Sequence, residues 1–355
     1  MTTRRTFLDI LNKCDNFHLA QSRLESTEKP NLYGFALNSS ETSPIIGLLR
    51  PCVFEQLEAE IQRSKERNEQ PVWQIRSRPG SSKPVVGFAY WLPEGVEGEQ
   101  ARTTAMKEMC ERWRDARVFE GVIGASKWRD ELYSVYVDPF GPRRDQELES
   151  EGKINSNFAF EMERAATALF GLVTSGIHMN IFQEADGQIK IWVPKRARTK
   201  QTWGGYLDNS VAGGIPSGMP PFEALVKESM EEASIAEDIV RSHAKAVGSV
   251  SYYTRTPSGW LQPEIEYLWD LAVPPGADPG PFTPKPLDGE VESFELMTFD
   301  DIISKMHEGL FKPNCALILI DFFIRHGHIT PDNEPHYMEI MTRLHGRFDI
   351  DHWGI

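Results

Sequence analysis

Three glutamates in the stretch KESMEEASI, Glu228, Glu231 and Glu232, recur at i, i+3 and i+4. On a helix that spacing sets all three on one face, over adjacent turns. Like charges so placed repel by about a few tenths of a kcal/mol per pair. A divalent cation would offset the repulsion, and Mg²⁺ or Mn²⁺ joins carboxylate oxygens to the phosphates of a substrate. An E-x-x-E-E run is more commonly a solvated face. Here a glycine pair, Gly213 and Gly214, and the following turn residues lie directly upstream. A loop of that kind feeding a helix N-terminus offers backbone N–H groups to an anion, beside carboxylates that can hold the counter-cation.

The helix that carries the glutamates is predicted to begin at Pro221, since the first helical position needs no N–H. Phe222, Leu225, Val226, Met230 and Ala233 then form an apolar stripe, roughly 150° around the helix from the glutamates. Glu223 and Lys227 stand at i and i+4 and are expected to pair on the surface. Arg196, Arg198 and Lys200 form a basic run shortly upstream, suited either to clamp a phosphate or to end a strand in solvent.

Around this stretch the pattern predicts an α/β fold. PVVGFAYWLP, from Pro84, and WRDELYSVYVDP, from Trp128, read as strands, and EGEQARTTAMKEMCERWRDARVF reads as a helix with one buried face. FAFEMERAATALFGLVTS, from Phe158, is expected to be helical. Two strand-like runs flank Ala185-Asp186-Gly187, a hairpin signal. VGSVSYYTRT, LQPEIEYLWDLAV and VESFELM read as strands, and CALILIDFFIRHG as a closing helix ending at Gly327. Expected boundaries are a smaller α+β domain over 1–150, a catalytic domain over 151–330 and a tail over 331–355. The polar stretch FGPRRDQELESEGKIN lies at the first of these boundaries.

Composition is that of a globular protein: 40% hydrophobic and 25% charged, with 9 Trp and 19 Phe. A net charge of -14 argues against a nucleic-acid backbone binder. The four cysteines show no metal-site spacing, so a reduced, cytoplasmic protein is expected, with first helix rather than leader at the N-terminus. The most apolar run, 165–182, carries too many polar residues for a membrane span.

With these residues in view, Gly213 to Ile235 resembles the Nudix box, the loop-helix motif of hydrolases acting on diphosphates linked to another moiety. Aligned on Gly213, the box places its glutamate triad on Glu228, Glu231 and Glu232 and its last hydrophobic position on Ile235. Met219 and Lys227 stand where the family has a glutamate and an arginine that brace the loop, and Ser234 stands at a glycine. WVPKRARTKQTWGGYLDNSVAGG, DGEVESFELMTFDDI and EMERAATALFG are similar to a particular branch, related to the Nudix module of fungal thiamine pyrophosphokinase.

The resemblance implies a Nudix α/β/α sandwich with a mixed sheet, preceded by the α+β domain. It implies Mg²⁺- or Mn²⁺-dependent removal of phosphate from damaged thiamine diphosphates, oxythiamine or oxothiamine diphosphate, to the monophosphate. An oxidised nucleoside diphosphate such as 8-oxo-dGDP is an alternative substrate, and diphosphate binding without turnover a further alternative. The triad would hold the metal, with Arg198, Lys200, Gly213 and Gly214 on the substrate. A general base would come from the box or from Glu290 or Glu292 in the DGEVE segment. The expected partner is a small-molecule diphosphate, with neither nucleic acid nor membrane. Glu264 and Glu266, alternating on a strand, could reach the metal but are expected to be exposed, and His178 is expected to be a satisfied, semi-buried histidine rather than a ligand. His326 and His328 are expected to cap or lie on the surface. Trp128, Trp203, Tyr206, Tyr252 and Trp260 are expected to pack in the core or to stack on a substrate ring.

Overall fold

The computed structural model describes residues 5–19, 31–77, 83–142, 157–185 and 187–348. Helix α1 (Phe7–Cys14) is closed at its start by a capping box between Thr6 and Asp9. Strands β1 (Tyr33–Ala36), β2 (Ile45–Leu49), β3 (Trp73–Arg76) and β4 (Val85–Phe88) form a sheet in the order β2-β1-β4-β3. Helices α2 (Pro51–Glu66), α3 (Gly95–Asp115) and the short α4 (Glu120–Ile123) cover it, burying Leu57, Met106, Met109, Trp113 and Ile123 beside Phe35 and Phe88.

Strands β5 (Leu132–Tyr136) and β6 (Phe158–Glu163) pair antiparallel, and Val135, Phe160 and Met162 join this same core. The helix expected from Phe158 is therefore a strand for its first six residues. Glu161, Met162 and Glu163 favour a helix locally, but the pairing with β5 and the burial of Phe158, Phe160 and Met162 override that preference. The helical part shrinks to a single turn, α5 (Thr167–Phe170), ended by Gly171 at φ 57°. The 143–155 part of the expected boundary loop lies outside the described residues, as does Asp186 of the expected hairpin turn.

The second sheet holds β7 (Thr174–Ala185), β8 (Gln188–Arg196), β9 (Val211–Gly214), β10 (Ala244–Arg255), β11 (Leu261–Ala272) and β12 (Val291–Thr298). Its order is β10-β11-β7-β8-β12, with β7 and β11 parallel and the other pairs antiparallel. β9 lies beside the first half of β7, where β8 does not reach. Helices α6 (Pro221–Ala233) and α7 (Glu237–His243) pack Leu225, Val226 and Val240 on one face, against Ile177, Met179, Ile181 and Leu271. On the other face α8 (Phe299–Glu308) and α9 (Pro313–Arg325) bury Ile302, Leu317, Ile320 and Phe323 against Val193, Val250 and Leu268. The result is an α/β/α sandwich with a mixed sheet.

Two terminal segments join this second core. Ile10, Leu11 and Cys14 of α1 lie in it, and so do Ile340 and Leu344 of α10 (Tyr337–Leu344). Arg343 of α10 ties back to the carboxylate of Asp15 at 2.9 Å. The first helix and part of the tail belong with the sandwich, and β6 belongs with the N-terminal core. Among the described residues no helix is long and apolar enough to cross a membrane.

Candidate functional site

The glutamates are carried by α6, which begins at Pro221 as expected. Its apolar side is Ala224, Leu225, Val226, Ser229 and Ala233, all buried; each fully buried Leu or Val contributes about 1.5–3 kcal/mol. Met230, expected in the stripe, is 43% exposed, and Ser229 takes the inward position with its hydroxyl donating to the Leu225 carbonyl at 2.7 Å. The helix closes on Ser234 in the left-handed conformation at φ 55°, its N–H on Met230 and that of Ile235 on the Ser229 carbonyl. A glycine takes that conformation with less strain, which is why this end of the motif usually carries one.

The three carboxylates are not equivalent. Glu232 is 7% exposed, and its Oε2 accepts the Ala212 N–H at 3.4 Å. The Glu228 side chain is 17% exposed, with Glu231 at 50% turned to solvent. Lys227 reaches both Glu228 at 3.5 Å and Glu231 at 3.3 Å. The expected Glu223–Lys227 pair does not form; Arg241 of α7 takes Glu223 in a two-pronged contact at 2.9 and 2.7 Å. A guanidinium fork matches a carboxylate better than one ammonium on a flexible stem does.

Gly213 and Gly214 are not loop residues. They lie in β9, opposite Ile177 and Gly176 of β7, and their small size admits two neighbours. A Cβ on Gly213 would fall 2.5 Å from Cγ of Glu228, and one on Gly214 would collide with the Tyr133 hydroxyl. The glycine pair therefore serves close approach, of the box helix on one face and of β5 on the other.

Burial pushes the Glu232 carboxyl up to about 8; the charges of Asp208 and Glu228 add to this, and Lys200 and the Ala212 N–H oppose it. Burial also raises Glu228, with Lys227 working against it and Glu231 with it. Lys200 is half-buried, paired with Glu290 and 3.9 Å from Glu232. The structure thus brings Lys200 and Glu290 to the box. Glu292 instead pairs with Lys195 at 3.1 Å, and Arg198 is exposed.

Asp208, which the sequence did not single out, is the strongest addition. It is buried, and burial alone would raise its carboxyl, but Lys312 and Arg196 hold it well below the usual carboxylate range. Arg196 Nη1 lies 2.5 Å from it, and the Cys315 thiol donates to it at 2.6 Å. The available signal was a polar triplet, Asp208-Asn209-Ser210, in the run entering β9.

Glu264 and Glu266 are not exposed. Their strand β11 lies between β10 and β7, and the Tyr252 hydroxyl lies between the two carboxyls, 2.7 Å from that of Glu266. His178 is buried and satisfied, Nδ1 against Asn209 Oδ1 at 2.8 Å and Nε2 3.6 Å from Glu266. His178, Asp208 and Cys315 are the one trio of metal-binding residue types, among those described, whose ligand atoms lie within 4.8 Å of one another. Arg196 and Lys312 already supply positive charge there, and the thiol proton is spent on Asp208. His326 ends α9, 3.3 Å from Asp270, and His328 stacks on Phe299. Of the aromatic candidates, Tyr252 is buried, Trp128 and Trp260 lie under Arg114 and Arg50, and the 43% exposed Trp203 packs edge-on against Tyr206.

The family model of the NUDIX domain matches residues 177–315, from β7 through the box to the start of α9. That stretch is similar to a NUDIX domain. Its relatives include the uncharacterized protein YJR142W of Saccharomyces cerevisiae, 38% identical over 236 residues, 63% of each chain. Nudix hydrolase 20, chloroplastic, of Arabidopsis thaliana is 36% identical over 253 residues, 71% of this chain and 60% of the relative. Nudix hydrolase 24, chloroplastic, from the same plant is 39% identical over 191 residues, 54% of this chain and 50% of the relative. The match thus spans between half and 63% of these relatives' length.

Proposed function

We propose that this NUDIX domain hydrolyses the phosphoric anhydride of a small diphosphate, water attacking phosphorus with a divalent metal bound at the box. The observation that carries the reading is Glu232. A carboxyl buried beside Glu228, with Lys200 3.9 Å away, is pushed up to about 8, chiefly by burial. Hard oxygen donors fit Mg²⁺ or Mn²⁺. Glu228 and Glu232 would hold the metal; Glu231 would join by leaving Lys227. When bound, the metal supplies charge neutralisation at the phosphate oxygens and an acidified water.

The remaining work falls to the chain. Lys200, between Glu290 and Glu232, can release Glu290 and pair with an incoming phosphate oxygen. Glu228, its carboxyl raised by burial, is placed to accept the proton of the attacking water, with Glu290 the alternative base.

For the organic moiety we propose a damaged thiamine diphosphate, the oxythiamine or oxothiamine form, acted on in the cytoplasm. The similarity of WVPKRARTKQTWGGYLDNSVAGG and DGEVESFELMTFDDI to the thiamine-related branch supports it. Four free cysteines suit a reducing compartment.

The test is phosphate release, with Mg²⁺ and with Mn²⁺, from oxythiamine, oxothiamine and thiamine diphosphates and 8-oxo-dGDP, comparing the parent with Glu232→Gln. Preference for 8-oxo-dGDP would replace the thiamine reading. Binding of the panel without turnover of any member would sink the hydrolase reading.

A further inference from the structure

The segment Ile215–Pro220 joins β9 to the box helix and must be held for the glutamates to meet a substrate in one geometry. Within the box nothing charged can fasten it. Position 219 is a methionine packed against the core under α6, and Lys227 turns to Glu228 and Glu231. The contacts that do fasten it come from another part of the chain.

The Ser217 N–H donates to the Leu132 carbonyl at 2.7 Å, and the Ser134 and Ser217 hydroxyls share a hydrogen bond at 2.8 Å. Between those two, Tyr133 places its hydroxyl over Gly214, in the space a Cβ would fill. Three consecutive residues of β5 thus touch the end of β9 and the middle of the loop. β5 is itself fixed from behind: it pairs with β6, and Val135 and Phe160 lie in the N-terminal core.

We propose that β5 is the brace of the box loop, with Leu132, Tyr133 and Ser134 as positioning residues through which the N-terminal domain sets the geometry of the NUDIX site. The inference rests on the hydrolase reading for its kinetic consequence and on the structure alone for the mechanical one. A loop held by three short contacts keeps the carboxylates and the incoming diphosphate in register; released, it samples geometries in which they do not meet. The N-terminal core then has a catalytic consequence without contributing a group to the reaction.

Two measurements on the full chain test it. The first is amide hydrogen exchange over 213–219 in metal-free protein, which needs no substrate. Ser134→Ala and the double variant Tyr133→Phe/Ser134→Ala are expected to raise exchange there at least about fivefold, leaving α6 and the unfolding midpoint unchanged. Unchanged exchange over 213–219 in a folded double variant would overturn the brace, whether or not any substrate is turned over. The second is a cycle on the best substrate of the panel. Ser134→Ala is expected to lower kcat about tenfold with KM nearly unmoved, and less than threefold once Met219→Glu gives Lys227 a loop partner. An equal loss of kcat in both backgrounds would overturn it too. If no panel member is hydrolysed, the hydrolase reading falls and the exchange result alone decides.

Discussion

Two sets of buried carboxylates, one on the box helix and one on β11 and the run entering β9, behave in opposite ways. At the box, Glu232 is pushed up to about 8. Behind it Asp208, equally buried, is held well below the usual range, and Glu266 is lowered to about 2. Burial pushes all three the same way. The difference lies in partners: Asp208 has Arg196, Lys312 and the Cys315 thiol, and Glu266 has His178, Tyr252 and Asn314. Glu232 has one lysine at 3.9 Å and one long N–H bond. Asp208 and Glu266 each have a full set of partners, whereas Glu264 beside Glu266 is itself pushed up to about 7, chiefly by burial. The box group has fewer cationic partners, which is what the proposed metal site requires.

Substitutions should separate the two. The largest effect is expected from Asp208→Asn, which leaves Arg196 and Lys312 buried without their counter-charge, at a cost of about 3–5 kcal/mol. Urea unfolding would show it, and a stable variant would mean that the network is not what holds this part of the fold. The parent should lose the same contribution in acid. Asp208 binds its proton more weakly folded than unfolded, so its stabilisation is present above the ordinary value of 3.8 and fades as pH falls below it.

Glu232→Gln is expected to do the reverse, leaving metal-free stability at pH 7 nearly unchanged while lowering turnover at least about a hundredfold. Equal loss of stability in Glu232→Gln and Asp208→Asn would erase the distinction drawn above. A smaller effect concerns pH. Glu232 keeps its proton to about pH 8 when folded, against an ordinary value of 4.5, so the folded state holds the extra proton between these values. Metal-free stability therefore falls as pH rises through that window. Mg²⁺ or Mn²⁺ affinity, followed by calorimetry, should rise over the same window, with proton release. The smallest change is expected for Lys227→Gln, whose exposed pairs contribute under about 1 kcal/mol. A large loss there would show that the box depends on its own lysine more than on β5.

Much of this was legible in the residues. Pro221, the Leu225/Val226/Ala233 stripe and the glutamate spacing define a helix wherever they occur, because helical periodicity and proline's missing N–H are local properties. Strands β4, β5, β7, β8, β10, β11 and β12 followed from alternation and turn residues. The misreadings have one origin. FAFEME favours a helix taken alone and becomes a strand because β5 is there to pair with it. Glu264 and Glu266 alternate like surface residues, yet their strand is internal and Tyr252 meets both. Glu223 had an available partner four residues on and took Arg241, eighteen residues on, whose fork fits it better.

The sequence by itself determined which elements exist, where the box helix starts and which three glutamates share its face, since each depends on neighbours within a turn or two. Only the tertiary structure decided how those glutamates differ: Glu232 buried, Glu228 nearly so, Glu231 in solvent. It alone decided that the glycine pair makes room rather than a loop, and that β5, 83 residues from Ser217 at its nearest hydroxyl contact, holds what Met219 and Lys227 cannot. Charge state and loop rigidity depend on what packs within a few ångströms, and that is set by chain folding over distances no local pattern spans.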